Sequence, residues 1–304
     1  MKTHLFFPKI YVILCLVGCA FSVNAQTVSI SNETELKAIA NNLSANYRLT
    51  NDIVLTGEWT PIGKEKPFSG ILDGNNFVIR NLKITDGTGN VGLFAQTDGA
   101  MIKKLGIENA QITAPKGTAV GIIVGRAVTT YIDDSYISES KVEGSNVGSF
   151  IGIARNRNIN FTVINNSYSS AEIKSASYAG GIIGSSEGAH IENSYFSGSI
   201  EAATLCGGIT ASSVGENSIT NCLVLSSGLQ GQETDPLIVK RNGSLELDNN
   251  YEEKGGTLLS CENNTPLNDV QAKSADFYKN HLYWDTSRWS IRDGFYPVPI
   301  GFVK

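Results

Sequence analysis

The sequence predicts an all-β chain wound as a parallel β-helix, a solenoid of short strands, and three observations predict it. A glycine-flanked segment recurs as Gly121-Ile-Ile-Val-Gly125, Gly148-Ser-Phe-Ile-Gly152, Gly180-Gly-Ile-Ile-Gly184 and Gly207-Gly-Ile-Thr-Ala211, with starts 27, 32 and 27 residues apart. A shorter form, Val91-Gly92-Leu93-Phe94-Ala95, precedes them. A second segment recurs between these: Ile79-Arg-Asn-Leu, Ile102-Lys-Lys-Leu, Ile132-Asp-Asp-Ser, Ile164-Asn-Asn-Ser, Ile191-Glu-Asn-Ser and Ile219-Thr-Asn-Cys, stepping by 23, 30, 32, 27 and 28 residues. A third short strand follows most copies, at Lys83-Ile84, Gln111-Ile112, Lys141-Val142, Glu172-Ile173 and Ser199-Ile200, and no helical periodicity lies between. Such a unit cannot bury its apolar face alone, whereas stacked units share one core.

Residues 1–25 read as an export signal: Lys2 and Lys9, an apolar run from Ile10 to Val23, and a small-residue cleavage site at Val23-Asn24-Ala25. Leu16-Val17-Gly18-Cys19 offers an alternative, a lipid anchor on Cys19, although the apolar Ala20-Phe21-Ser22-Val23 is unlike a polar tether. Residues 26–66 form an N-terminal cap and lead-in strand, in which Ser31 to Ala40 carries the cap residues, early acids and spaced apolar positions of a short helix. The repeats fill 67–229. Residues 230–304 hold a degenerate last coil around Leu245 to Tyr251 and an aromatic-rich C-terminal cap from 267 onward, with Phe277, Tyr278, Trp284 and Trp289 among its rings. Solenoid ends need such caps because an open strand edge pairs with other chains.

Parallel stacking sets like residues ~4.8 Å apart, so recurrent positions form ladders. The third position of the second segment, Asn81, Asp134, Asn166, Asn193 and Asn221, suits an amide ladder along a turn, and Tyr136, Tyr168 and Tyr195 align to stack. The repeated Gly92, Gly121, Gly125, Gly148, Gly152, Gly180, Gly184 and Gly207 mark positions where layers bend or touch.

Composition narrows the function. Hydrophobic residues are 41% and charged residues 17% of 304, which excludes a disordered chain and a long coiled coil. A net charge of −5 argues against nucleic acid or an anionic membrane as the partner. No second stretch approaches the length of a transmembrane span. Three cysteines, Cys206, Cys222 and Cys261, lie beyond the leader; an odd number is no disulfide framework, and their spacing fits no zinc site. No metal site or cofactor is expected.

The glycine segments, together with Tyr47 to Leu55, Trp59-Thr-Pro-Ile-Gly63, Phe68 to Asn76 and the ending Tyr283-Trp284-Asp285, Trp289 and Gly294-Phe-Tyr-Pro297, resemble the GLUG repeat family of Gram-negative surface and secreted proteins. That repeat also occurs in non-catalytic parts of immunoglobulin-A metalloproteases and large adhesins. The departures are Ala95 and Ala211 where a closing Gly is usual, and Ile122 and Ser149 where a second Gly is usual. The resemblance implies a right-handed β-helix on the outer surface or outside the cell, in line with the right-handed rule for parallel crossovers. It brings no catalytic residues with it.

The search for chemistry gives little. His190 and His281 are isolated beyond the leader, and no His-Glu-x-x-His is present. The Gly-x-x-x-Gly recurrences keep the coil period, so they read as turns and not as phosphate loops. Asp133-Asp134 is the one adjacent acidic pair within the repeats, and Asp134 falls on the ladder position, which favours a turn role. A basic patch stands out: Arg126, then Arg155 and Arg157 with Asn156 and Asn158, the latter arginine pair within the longest spacing; it reads either as a solvated loop of ordinary charge or as a group that grips carboxylate or sulfate bidentately. The leading expectation is a non-enzymatic binding or adhesion module that presents a repetitive face to an extracellular glycan or a host or surface protein. The alternatives are a polysaccharide lyase or glycoside hydrolase on the same scaffold, and a structural module of a surface assembly.

Overall fold

A computed structural model describes residues 26–226, 228–254, 257–261, 266–267 and 274–303. The leader and Cys19 lie outside the described residues. The chain forms a parallel β-solenoid of about seven turns. Each coil contributes to three faces. The first face carries a strand broken in two, as in Tyr131–Asp133 with Tyr136–Ser138, Thr162–Asn165 with Tyr168–Ser169, and Ala189–Glu192 with Tyr195–Phe196. The second face holds strands such as Lys141–Gly148 and Glu172–Gly180. The third is a six-stranded sheet, Phe94–Asp98, Val124–Val128, Ile151–Arg155, Ile183–Glu187, Thr210–Val214 and Ile238–Asn242.

Stacking is in register, and the register explains the sequence period. Ile102, Ile132, Ile164, Ile191, Ile219 and Leu247 lie opposite one another in successive coils. The five isoleucines are buried in the core. Gly121 faces Gly148, Gly148 faces Gly180, and Gly180 faces Gly207. None of these four has the left-handed backbone that favours glycine. They are needed for space: a Cβ on Gly148 would stand 2.2 Å from the Ile151 carbonyl oxygen and 2.5 Å from the Gly184 nitrogen. The column ends in Asp235, opposite Gly207 in the last coil. That coil, with Ile238–Asn242 and Leu245–Asp248, keeps full register although its sequence lacks the glycine signature.

Both ends are closed. At the N-terminal end a helix, Glu33–Lys37, continues into a 3-10 turn over Ala38–Asn41 and buries Leu36 and Ile39. The Asn32 side chain caps it by accepting the Glu35 N–H at 3.0 Å. At the far end Tyr251–Lys254 turns back antiparallel against Thr257–Ser260, which pairs with Pro266–Leu267.

The aromatic C-terminal stretch is compact, but it does not sit over the end of the solenoid. It runs back along the flank as a strap. Tyr136, Tyr168, Tyr195, Leu223 and Tyr251 share one register column on the first face. The three expected tyrosines do stack, with centroids 5.4 and 4.8 Å apart. This apolar stripe faces away from the core, and the strap supplies its second layer: Phe277, Tyr278, Leu282, Trp284 and Trp289 are buried against Tyr195 and Leu223. Polar and aromatic contacts fix the strap's course, from His281, whose carbonyl accepts from Asn249, to Phe302, packed edge-on to Tyr136 at 4.6 Å.

Candidate functional site

The ladder asparagines are structural. Asp134, Asn166, Asn193, Asn221 and Asn249 all adopt left-handed backbone, φ between 47° and 56°, at the bend that splits the first face. This conformation is tolerated best by Gly, Asn and Asp. The amide ladder is continuous from Asn165 through Asn193 and Asn221 to Asn249, each Nδ2 donating to the preceding Oδ1 at 2.7–3.2 Å. Asn81 does not belong to this column. Ile79 lies opposite Ile107, not Ile102, so Asn81 is aligned with Asn109 and accepts its Nδ2–H at 2.7 Å. The 23-residue step from Ile79 to Ile102 was the mark of this false register, because the step to Ile107 is 28.

The acidic pair is tied to the strap. Arg288 Nη1 donates to Asp133 Oδ2 at 2.6 Å and to Asp134 Oδ2 at 2.7 Å. Burial pushes the Asp134 carboxyl above the ordinary aspartate value, against the pull of Arg288. A cleft of about 510 Å³ beside them is lined by Lys103, Lys104, Tyr131 and Ser287. Both carboxylates therefore serve as anchors for the strap.

The three arginines fall on one side of the solenoid, at and beyond the third face. Arg126 lies opposite Ile153, and Arg155 opposite Val128, so Arg126 and Arg155 are offset by two residues and one coil. Arg155 pairs with Glu187, its register partner, at 3.2 Å. Arg157 reaches back and pairs with Asp98. Among the described residues Arg126 makes no ion pair, and its Nε is buried without a partner.

The long coil spacing around Arg157 has a visible cause. Residues 157–160 fold into a small hairpin, with Arg157 and Asn160 exchanging backbone hydrogen bonds of 3.1 Å and Asn158 in left-handed backbone at the turn. The tip carries Ile159, 85% exposed. Beneath the hairpin, at the corner between the third and first faces, lies an open groove of about 880 Å³. Phe161 forms one wall and meets the His190 ring edge-on at 4.3 Å. His190 Nδ1 is 2.6 Å from Ser218 Oγ. Ser69, Thr129 and Asn160 add polar groups to the lining.

Thr129 is the unusual member. The corner column that follows Asp98, Val128, Arg155, Glu187, Val214 and Asn242 consists of Gly99, Thr129, Asn156, Gly188, Gly215 and Gly243. The four glycines have φ between 69° and 129°. Thr129 has φ 44°, a conformation that costs a β-branched residue ~1–2 kcal/mol. Thr129 and Asn156 break the glycine pattern, and Thr129, the one of the two that keeps left-handed backbone, places a hydroxyl on the groove. Sequence reading did not find Thr129, Phe161 or His190 as a group, since contacts between coils bring them together; the signals were an apolar Ile159 inside a polar loop and a Thr at a corner where four of the six coils have Gly.

Comparison with known proteins agrees with this architecture. Residues 175–201, one coil of the solenoid, match the GLUG motif, which supports the resemblance read from the sequence. The chain is similar to halomucin of Haloquadratum walsbyi, 32% identical over 143 residues, which make up 40% of this chain and 2% of halomucin. The chain therefore spans a small fraction of that relative's length. Among solved structures it is similar to one described as "a putative immunoglobulin A1 protease" from Bacteroides ovatus, with TM-score 0.62 and 19% identity over 91% of this chain and 93% of that one. At that identity the likeness shows the fold. A weaker likeness, to a structure named "IgA1 Protease", has TM-score 0.48 and 15% identity over 75% of this chain and 21% of that one.

Proposed function

We propose that this chain is an exported, non-enzymatic β-helix module that binds an extended extracellular ligand, a glycan or a surface protein, through the corner groove beneath residues 157–160. The observation that carries the reading is the hairpin itself. It is the insertion that lengthens one coil to 32 residues, and Arg157 on Asp98 ties it across coils 59 residues apart. Such a contact holds the groove wall in place before a ligand arrives, which lowers the ordering cost of binding. The scaffold suits extended ligands, because equivalent side chains recur along the axis.

The enzyme alternative draws less support. Two carboxylates acting on a glycosidic bond must face the substrate, and the adjacent pair here is held by Arg288. The outer surface of a Gram-negative cell, by secretion or through Cys19, is the location that goes with this function. The test is a time course of purified protein on an array of neutral and acidic glycans and surface proteins. A stable signal that weakens in an Arg157→Gln variant supports binding. A signal that fades as the printed glycan disappears replaces this reading with catalysis.

A further inference from the structure

We infer that the corner groove is a saccharide site selective for neutral glycans, with Phe161 as the platform for a sugar ring. The inference rests on the binding function proposed above and goes further by fixing the ligand's chemistry. Sugars present two kinds of surface, an apolar face of C–H groups and a rim of hydroxyls that both donate and accept. The groove offers a counterpart to each. Half-buried Phe161 and exposed Ile159 supply the apolar contact. Thr129, Asn160 and Ser69 supply groups that donate and accept, and Arg157 supplies donors. The groove crosses five successive coils, from Ser69 through Gly99 and Thr129 to Phe161 and His190, which at ~4.8 Å per layer gives an extended rather than a point site.

Charge decides between neutral and acidic sugars. The groove cation, Arg157, already faces Asp98, and the neighbouring Arg155 faces Glu187. An acidic sugar would have to compete with those carboxylates and would meet them at the same rim. A neutral sugar leaves both pairs intact and uses the guanidinium N–H groups that the pairs leave over, because a guanidinium has five donors. Of the basic patch visible in the sequence, Arg155 and Arg157 are thus paired with carboxylates, and recognition at the groove passes to stacking and hydroxyl contacts. The strained Thr129 supports this independently. Backbone strain of this kind persists where a side chain is needed, and here it puts a hydroxyl in the coil stacked directly against the one that carries the hairpin.

The test uses purified protein on an array of printed neutral and acidic glycans, followed by titration of the best neutral hit. The expected result is a signal on neutral glycans that loses at least tenfold in affinity in Phe161→Ala and severalfold in Ile159→Ser. Ile159 is too exposed for its loss to perturb folding, so the second variant guards against collapse of the first. Lys174→Ser, on the second face, is expected to leave binding unchanged. A signal confined to acidic glycans, or one indifferent to both groove variants, overturns the inference. Capture of a surface protein that depends on Phe161, without any glycan signal, overturns the sugar assignment and keeps the binding groove. Absence of both signals overturns the two together.

Discussion

Replacing Gly148 with Ala tests whether register, and not turn flexibility, is the reason for the glycine repeat. The added methyl carbon would stand 2.2 Å from Ile151 O, 2.5 Å from Gly184 N and 2.8 Å from Ile182 O. Comfortable contact begins near ~3.5 Å, so at least one neighbour must retreat by roughly 1 Å. All three are backbone atoms, and Gly148 is paired in register with Gly121 and Gly180 on either side. Over-packing that side chains can absorb costs ~1–3 kcal/mol; where only backbone can yield, about 3 kcal/mol or more is expected. Gly99→Ala is the matched control. Gly99 has φ 69° and nothing within 4 Å of the built Cβ, so only the left-handed penalty of ~1–2 kcal/mol applies. Urea unfolding followed by far-ultraviolet circular dichroism reads both. Because each coil is coupled chiefly to its neighbours, Gly148→Ala is also expected to broaden or split the transition. A loss no larger than that of Gly99→Ala would refute the steric account.

Two further outcomes follow from buried ionisable groups. Burial raises the Asp134 pKa from its ordinary 3.8, so the folded state holds this proton more tightly than the unfolded state, and the group's contribution to stability shrinks as pH rises from about 3.8 through the raised value. Thermal unfolding of Asp134→Asn, a residue that also suits φ 48°, is therefore expected to gain on the parent between pH 3 and pH 7; a difference independent of pH would show that Asp134 carries no such burden. Burial pushes the Cys206 thiol up to about 11 and the Cys222 thiol up to about 12. At pH 8 a thiol-specific reagent should leave both unmodified in the folded protein, consistent with their complete burial, and label both in urea, whereas labelling of either in the folded state would contradict the packing.

The solenoid was legible because stacking forces like residues into columns, and columns repeat in sequence. The glycine motifs, the tyrosine stack and the isoleucine ladder from Ile102 onward fell where their spacing placed them. Misalignment of Asn81 arose where the repeat itself is irregular: Ile71–Arg80 is a single strand with a register shift between Asp73 and Phe77, so two isoleucine-like positions compete for one alignment. The strap's position was hidden for a different reason. Aromatic residues announce burial but not a partner, and the partner is a column assembled from five coils. Likewise the groove joins Asp98 to Arg157 and Phe161 to His190 through layers that are distant in sequence. An arginine patch can be read from spacing, but the pairing of Arg157 with Asp98 and of Arg155 with Glu187 cannot.

The central claim is that ligands meet this molecule at the hairpin corner. Hydrogen–deuterium exchange of the purified protein, with and without its best neutral glycan from the array, tests it most directly. Slower exchange centred on residues 156–163, with lesser changes near Thr129 and His190, is the predicted result. Protection centred on the second face around Lys141 and Lys174, or on the strap around Arg288, would contradict it.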